Sequence, residues 1–406
     1  MAMNDVPSDD DSDYGNIGDS ELLQLESELT AKRKSPDSQE QDQPPTKKLK
    51  TEADNTVATI ARDILNEVWH FPAFRLAQEA AITRLILGKS AVVVFPTGGG
   101  KSLVYQVPAL VFDKYDYLCG RTPGRGITLV ISPLIALMKD QVDTLRRLGV
   151  EAAAMDSAQS REAWLETCDK LKNGVLKLLY VAPERLQNEG FVAMISAVKI
   201  RMVAVDEAHC VSQWGHAFRP DYLKVARFVK EVRAERVLCL TATATPQVAQ
   251  DICSAFGIDE EGVFRTTSYR SNLSLRAQSF GNQEEKLAAL KKFLTEHKGP
   301  SIVYVQTHEQ TDHVHARLIA DGFNAYGYHA GMANDMRSKV QEKFMKSKSI
   351  VIVATIAFGM GIDKADIRNI VHFAVPKSLE GYSQEVGRAG RDGLPSTCMV
   401  SQKANP

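Results

Sequence analysis

Short apolar runs that alternate with segments of helical spacing constrain the fold of this chain most. A strand formed by any of these runs would be apolar on both of its faces. Residues 134–148 are an example of the helical spacing found between the runs. Strands of this kind, alternating with helices, are typical of a parallel sheet that is covered on both sides. The runs lie at 91–95, 127–131, 176–181, 201–205 and 236–240, and again at 301–305, 324–328, 350–354 and 369–373. The sequence therefore predicts two tandem, doubly wound α/β domains.

The domain boundaries follow from composition and from the restart of the strand pattern. Residues 1–56 are polar and acidic, and a segment with so few apolar groups is expected to be disordered. The alternation stops near residue 272 and then begins again. We therefore expect a disordered tail at 1–56, one α/β domain at 57–272 and a second at 273–406.

The tail has two features of its own. Leu22, Leu25 and Leu29 recur at helical spacing, which indicates either a helix that binds a protein partner or a transient helix without function. Basic clusters at 32–34 and 47–50 resemble a bipartite nuclear import signal. The expected location is therefore the nucleus.

Charge, cysteine usage and hydropathy exclude several classes of protein. A formal net charge of −1 excludes attraction of the whole protein to nucleic acid by its net charge. A local group of basic residues could still bind nucleic acid in a protein of this net charge. The six cysteines form no C-x-x-C pair, which indicates reduced thiols of an intracellular protein and no zinc site. No apolar run is long enough to span a bilayer, so no membrane association is expected.

The segment FPTGGGKS at 95–102 lies between a predicted strand and a helical pattern. In such a turn, glycines let backbone N–H groups surround phosphates, and the helix N-terminus adds positive charge. Lys101 suits the β- and γ-phosphates and Ser102 suits Mg²⁺, whereas Phe95 replaces the first glycine of the strict G-x-x-x-x-G-K-S pattern. The predicted phosphate cradle consists of Thr97, Gly98, Gly99, Gly100, Lys101 and Ser102.

Asp206 and Glu207 follow the apolar run 201–205, which places them at the carboxyl edge of the predicted sheet. Sheets of this class bind their ligands at that edge. Asp206 suits the coordination of Mg²⁺, and Glu207 suits polarising the water that attacks a γ-phosphate. Together with the cradle, this pair predicts a site that hydrolyses a nucleoside triphosphate.

Arg388 and Arg391 lie three positions apart in the second predicted domain and share one face of a helix if the segment is helical. Two guanidinium groups can stabilise a γ-phosphate in its transition state, and a surface helix with ion pairs is the alternative for this pattern. Since the cradle and the acids belong to the other domain, ATP is expected to bind between the domains. Hydrolysis would then depend on domain closure.

Nine short motifs stand in the order that is typical of helicases. They are FRLAQEAAI (74–82), TGGGKS (97–102), VISPLIALMKDQ (130–141), YVAPERL (180–186), DEAH (206–209), LTATAT (240–245), YHAGM (328–332), VATIAFGMGIDK (353–364) and QEVGRAGRDG (384–393). The stretch QWGHAFRPDY at 213–222 separates one family from DEAD-box and DEAH-box proteins in general. Over most of its regular part, the chain resembles the RecQ family of DNA helicases in superfamily 2.

The resemblance implies two RecA-like domains that use ATP and Mg²⁺ and move 3′ to 5′ on single-stranded or forked DNA, in repair or recombination. It implies that Arg75 and Gln78 contact adenine and that Gln384 faces the nucleotide. It also implies that Arg388 and Arg391 act as arginine fingers.

For DNA, the resemblance implies that segment 209–222 is an aromatic-rich loop in contact with a single strand. Base stacking on aromatic faces and guanidinium contacts to phosphates make that role physically reasonable. Tyr222 begins a helical pattern and is expected in the core, whereas Trp214 is expected to be exposed. The residues that the resemblance assigns to DNA binding or to coupling are His209, Trp214, His216, Phe218, Arg219, Thr241 and Thr243.

The chain departs from the family pattern in several places. Leu76 and Ala77 stand where the family has Pro and Gly, and Ala217 stands where an acidic residue is usual. The sequence ends soon after a last predicted strand at 396–400, without the zinc-binding and winged-helix modules of the family. We therefore expect a fragment or a natural short form whose DNA-stimulated ATPase is better supported than processive unwinding.

Two other interpretations remain open at this point. One is a regulatory protein that binds DNA or protein partners without catalysis, which the short C-terminal end favours and the intact nucleotide residues oppose. The other is an RNA helicase, because the same ATPase machinery serves both nucleic acids.

Overall fold

Two separate parallel sheets form the framework of the protein. In a computed structural model, the described residues are 52–121, 126–155, 159, 161–213, 219–267, 269–359, 362 and 364–403. Within these ranges, the first sheet contains β1 Ala91–Val94, β2 Ile127–Ile131, β3 Ala152–Met155, β4 Leu178–Val181, β5 Ile200–Val205, β6 Val237–Thr241 and β7 Val263–Arg265. The second contains β8 Leu273–Phe280, β9 Ser301–Tyr304, β10 Ala325–Tyr328, β11 Val351–Ala354, β12 Asn369–His372 and β13 Ser396–Lys403.

Both sheets are covered on both faces. The strand order is β3-β4-β2-β5-β6-β1-β7 in the first sheet and β10-β11-β9-β12-β13-β8 in the second. Successive residues of one strand enter different cores: Val92 packs in one cluster and Val93 in the other, and Ile302 and Val303 divide in the same way. Because strand side chains alternate between faces, this division shows a core on each side. The predicted pair of doubly wound α/β sheets is confirmed.

Helices connect the strands and supply those cores. In the described ranges they are Glu52–Trp69, Gln78–Ile86, Leu103–Leu118, Ile135–Arg147, Arg161–Lys172, Glu189–Ser196, Pro220–Glu231, Pro246–Phe256, Gln283–Glu296, His308–Ala320, Asn334–Lys346 and Leu379–Val386. Within those same ranges, none is long and apolar enough to cross a membrane. Tyr222 is fully buried in the first core, as its position at the start of a helical pattern predicts.

The helix Glu52–Trp69 begins before the point where the composition changes. Residues 52–56, which the composition assigns to the tail, already belong to this helix, and Val57 is fully buried. The leucine pattern of the tail and its two basic clusters lie outside the described residues, so the interpretations drawn from them remain predictions.

Three strands have no counterpart among the apolar runs. β3 consists largely of alanine, and β7 is a three-residue edge strand. β8 is paired with β13 alone and is exposed along most of its length, so its sequence carries no apolar run. The chain passes from the first sheet to the second between β7 and β8, through residues 266–272.

Candidate active site

A cavity of about 400 Å³ lies where the carboxyl ends of strands from both sheets meet. It is bordered by residues 95–102 after β1, called the phosphate loop below, by the acidic pair after β5 and by the segment after the helix Leu379–Val386. The cavity brings together predicted residues from distant parts of the chain: Thr97, Gly98, Gly100, Lys101, Ser102, Asp206, Glu207, Gln384, Arg388 and Arg391.

The phosphate loop needs its glycines for conformational reasons. Gly98 and Gly100 have φ angles of 80° and 72°, a left-handed region that side chains disfavour. A Cβ atom on Gly99 would lie 2.9 Å from the carbonyl oxygen of Pro96, so this position too accepts no side chain without a shift. The resulting close-packed turn leads directly into the helix Leu103–Leu118, as anion binding at a helix N-terminus requires.

Lys101 is folded back on its own loop. Its Nζ donates to the carbonyl oxygens of Phe95 at 3.2 Å and Pro96 at 3.4 Å. Burial lowers the pKa of this amine, and the nearby carboxylates of Asp206 and Glu207 oppose that shift. The amine is therefore positioned between the loop and the acidic pair.

Asp206 and Glu207 differ in their environments although they are adjacent. Asp206 Oδ1 accepts from the backbone N–H of Glu207 at 3.0 Å, and Ser132 Oγ donates to Oδ2 at 3.4 Å. Burial raises the pKa of Asp206 to about 7, and the negative charge of Glu207 adds to the shift. Glu207 has a φ of 50°, and a non-glycine residue in this region stores strain of the kind found at functional sites.

This raised pKa predicts that Asp206→Asn stabilises the protein in the absence of nucleotide and metal. The carboxyl titrates near pH 4 when unfolded and near 7 when folded, so ionisation costs the folded state stability as the pH rises through that window. We expect the melting temperature of the variant to exceed that of the parent by about 2–6 °C near pH 8, with almost no difference near pH 4. A difference that does not depend on pH would contradict this assignment.

The acidic pair is linked to the loop after β6 through a buried histidine. His209 Nδ1 lies 2.9 Å from Thr241 Oγ1 and 3.3 Å from Glu207 Oε2. The Thr241 hydroxyl donates to the carbonyl oxygen of Thr243 at 2.9 Å, so it accepts from His209, whose Nδ1 must carry the hydrogen. Tyr222 reaches the same region, since its hydroxyl donates to the backbone oxygen of Asp206 at 2.9 Å.

The two arginines lie on the opposite wall of the cavity. Arg388 is almost fully buried and donates to the carbonyl oxygen of Gly359, while Arg391 Nη1 donates to that of Ile362 at 3.2 Å. A Cβ atom on Gly98 would lie 3.4 Å from Arg391 Cγ, so the Arg391 side chain packs directly on the phosphate loop of the other domain.

The residues expected at adenine do not line the cavity. Gln78 is almost fully buried, and its Oε1 accepts from the backbone N–H of Arg75 at 2.7 Å. Its Nε2 donates to the carbonyl oxygen of Gly100 at 2.9 Å, so the amide ties its segment to the phosphate loop. The Arg75 side chain is exposed. Between them, Leu76 has a φ of 52°, a strained value for the residue that replaces proline.

Most of the predicted DNA-contacting loop lies outside the described residues. This applies to Trp214, His216 and Phe218, and also to Ala217. The two ends of the loop are close together, because the backbone N–H of Arg219 donates to the carbonyl oxygen of Cys210 at 2.9 Å.

Sequence reasoning missed other residues at the cavity. Ser132 follows β2 directly, so the rule that placed Asp206 at the carboxyl edge of the sheet would have found it. Tyr105 and Tyr180 line the same cavity and pack edge to face, with ring centroids 6.1 Å apart. Gly359 and Ile362 contribute through backbone oxygens, and a pattern of side chains carries no signal for such contacts.

Comparison with known families agrees with this geometry. The DEAD/DEAH box helicase family matches residues 75–252, and the helicase conserved C-terminal domain matches residues 285–393. The chain is 41% identical over 343 residues to the ATP-dependent DNA helicase RecQ of Bacillus subtilis, covering 84% of this chain and 56% of that protein. The chain belongs to the RecQ family of superfamily 2 helicases.

A plant member of the RecQ family matches as well. The ATP-dependent DNA helicase Q-like 5 of Arabidopsis thaliana is 40% identical over 357 residues, covering 87% of this chain and 37% of that protein. The chain spans about half the length of the bacterial RecQ proteins that it matches, with 56% and 52% of two of them covered.

Solved structures of more distant helicases share the fold. Saccharomyces cerevisiae Dbp5 bound to RNA and ADP BeF3 matches with a TM-score of 0.64 and 15% identity, over 84% of this chain and 88% of that one. Mycobacterium smegmatis Lhr bound to ssDNA and AMP-PNP matches with a TM-score of 0.63 and 19% identity, over 86% of this chain and 48% of that one. At such identities the likeness concerns the fold alone.

Proposed function

We propose that this RecQ-family chain is an ATP-dependent DNA helicase or translocase that hydrolyses ATP between its two RecA-like domains and moves 3′ to 5′. The observation that carries the proposal is the cavity of about 400 Å³, which the phosphate loop and acidic pair border on one side and the arginines on the other. An active site divided in this way makes hydrolysis sensitive to the distance between the domains.

The phosphate loop fits a triphosphate, and the donor set beside it fits Mg²⁺. Ser102 and Asp206 both line the cavity, and hydroxyl and carboxylate oxygens are ligands that Mg²⁺ prefers. Bound there, Mg²⁺ would neutralise phosphate charge. Lys101 would leave the carbonyl oxygens of its own loop and donate to the β- and γ-phosphates, which are better acceptors for an ammonium group.

Glu207 and the arginines are the proposed groups for the chemical step. Glu207 would orient the attacking water and accept its proton. Arg388 and Arg391 would exchange their present backbone acceptors for the γ-phosphate oxygens, as charge develops on them in the transition state. Gln384, which lines the same wall, would contact the nucleotide.

Arg75 and Gln78 are proposed to contact adenine, and the geometry sets a condition for this role. The Gln78 amide is bonded to the phosphate loop and to the backbone of Arg75. Binding of a base to Gln78 would therefore depend on the conformation of the phosphate loop, because the same amide group contacts both. The exposed Arg75 side chain is free to fold over an adenine ring.

The link between hydrolysis and DNA is proposed to run through His209. This histidine contacts both Glu207 and Thr241, and the DNA-contacting loop begins a few residues later. Trp214, His216, Phe218 and Arg219 would bind single-stranded or forked DNA by stacking and by phosphate contacts. A change in the DNA loop would then reach Glu207 and the Thr241–Thr243 turn together.

Trp214→Ala is expected to reduce DNA stimulation of the ATPase about tenfold while leaving basal hydrolysis nearly unchanged, because stacking contributes roughly 1–3 kcal/mol per base. The measurement is ATPase rate against the concentration of single-stranded DNA. Trp164→Ala is a matched control, since it removes an exposed tryptophan on the helix Arg161–Lys172. Equal losses of basal and stimulated rates in Trp214→Ala would instead make Trp214 a core residue.

The nucleus and DNA repair or recombination are proposed as the setting. The basic clusters at 32–34 and 47–50 support nuclear import, and eukaryotic relatives such as the ATP-dependent helicase SGS1 of Saccharomyces cerevisiae match the chain, as do bacterial ones. The leucine pattern in the tail is proposed as a site for a protein partner.

A single comparison of nucleic acids tests the proposal. ATP hydrolysis is measured alone and with single-stranded DNA, forked DNA and single-stranded RNA at matched nucleotide concentration. We expect DNA to stimulate hydrolysis well above RNA, and strand displacement on forked DNA to show the 3′ to 5′ direction. Stimulation by RNA above DNA would favour an RNA helicase, and binding to DNA without hydrolysis would favour a regulatory protein.

A further inference from the structure

Two residues of the linker between β7 and β8, Arg270 and Asn272, are hydrogen-bonded to the loop 387–394, which carries the two arginines and is called the arginine loop below. We propose that Arg270 and Asn272 are positioning residues, which hold this loop so that Arg388 and Arg391 face the phosphate loop across the cavity. The inference rests on the proposed ATPase function, which it deepens.

The Arg270 side chain is hydrogen-bonded to the backbone of the arginine loop. Its Nη1 donates to the carbonyl oxygen of Gly387 at 3.1 Å, and its Nη2 donates to that of Gly390. These two carbonyls belong to the residues that directly precede Arg388 and Arg391. A planar guanidinium is suited to bridging two acceptors at a fixed distance. The contact therefore sets where the backbone of both arginines lies.

Asn272 fixes the same loop from the adjacent side. Its Nδ2 donates to the carbonyl oxygens of Gly390 and Leu394, at 2.9 Å in each case. Gly390 has a φ of 53°, and a Cβ atom there would lie 2.5 Å from Asn272 Nδ2. The backbone N–H of Gly390 donates to the carbonyl oxygen of Ile367 at 2.8 Å. Gly390 is thus hydrogen-bonded through both its N–H and its C=O group, and its position leaves no room for a side chain.

The last residue of β7 and the first residue of the linker both contact loops of the first domain. Arg265 Nη2 donates to the carbonyl oxygen of Ala244, in the loop after β6, at 2.7 Å. The backbone N–H of Thr266 donates to the carbonyl oxygen of Val94, directly before the phosphate loop, at 3.2 Å. The linker therefore connects the Thr241–Thr243 region to the arginine loop by a route that does not pass through the nucleotide. Movement of the first domain would be transmitted to the arginines.

Arg270→Ala is expected to lower kcat for ATP hydrolysis by about 10–100-fold, with KM for ATP changed by less than about threefold. Displacement of a catalytic group by roughly 1 Å costs about 10²-fold in rate, and loss of an interaction made only in the transition state lowers kcat rather than raising KM. Arg270→Lys keeps the charge but cannot bridge both carbonyls, so an intermediate kcat is expected. Arg276→Ala, at an exposed position on β8, is the matched control and should hydrolyse ATP at the parental rate.

Rescue of kcat by free guanidinium ions distinguishes a positioning role of Arg270 from a general loss of stability in the variant. Arg270 borders a second cavity, of about 810 Å³, which lies beside the linker. Guanidinium ions at millimolar concentration should enter the space left in Arg270→Ala and restore part of kcat in a saturable way. They should have no such effect on Arg276→Ala.

Amide hydrogen exchange across residues 384–394 separates this inference from the proposed function. In Arg270→Ala, exchange in this segment should become faster while exchange in the phosphate loop stays as in the parent. If the parent protein hydrolyses no ATP, the proposed function fails, and unchanged exchange at 384–394 would still overturn the positioning role. A parental kcat in Arg270→Ala, or a loss of kcat in proportion to a lower folded fraction, would also overturn it.

Discussion

Lys101→Ala is expected to lower the rate of ATP hydrolysis by about 10³-fold, with and without DNA, while the protein remains folded. Removing one preorganised charge from a site of developing negative charge costs about 10²–10³ in rate, and this residue would contact two phosphates. The fold should survive because the Lys101 amine bonds to carbonyl oxygens of its own loop, those of Phe95 and Pro96, and so does not tie that loop to another element of the core.

The measurement combines ATPase rates with thermal unfolding. Lys89→Ala is the matched control, because Lys89 is an exposed lysine in the same domain, just before β1. It should keep the parental rate and melting temperature. Normal hydrolysis by Lys101→Ala would show that the phosphate loop is not the nucleotide site, and unfolding of the variant would show that the lysine has a structural role instead.

The extent to which the fold could be predicted depends on how each strand is buried. Central strands such as β5 are covered on both faces, so their apolar runs are visible in the sequence. β8 is an exposed edge strand, and its position is determined by pairing with β13, far away in the chain. Pairing of this kind leaves no local pattern of residues.

The candidate site was predictable where the chemistry depends on side chains at strand ends. The phosphate loop, the acidic pair and the arginines share one cavity, as the tandem domains predict. Contacts that use the backbone were not predictable. Gln78 and Arg270 both act through carbonyl oxygens of glycines, and such acceptors have no signature in the residue types around them.

In the proposed coupling, the closeness in sequence of the acidic pair and the predicted DNA-contacting loop is one part. The structure adds contacts from elsewhere in the chain, since His209 meets Thr241 and the Tyr222 hydroxyl meets the backbone of Asp206. A displacement of His209 or Tyr222 would therefore act on the acidic pair at more than one point. The coupling that we propose would therefore depend on this packed cluster as well as on the covalent connection.

Glu207→Gln is expected to lower kcat by about 10²–10⁴-fold while ATP binding is retained, since this is the range that general base catalysis contributes. Glutamine has the size of glutamate and can still orient a water molecule, but it cannot accept the proton. Its amide also keeps an oxygen that can face His209 Nδ1, which now lies 3.3 Å from Glu207 Oε2. The loss should therefore fall on the chemical step.

Two assays on one preparation distinguish this role from a structural one. ATPase rates report the chemical step, and binding of a fluorescent ATP analogue reports the nucleotide pocket. Glu67→Gln, at an exposed position on the helix Glu52–Trp69, is the matched control and should behave like the parent in both. If Glu207→Gln loses nucleotide binding together with hydrolysis, Glu207 shapes the pocket. If hydrolysis alone is lost, the carboxylate is the base, and the variant should hold ATP and single-stranded DNA together without turnover.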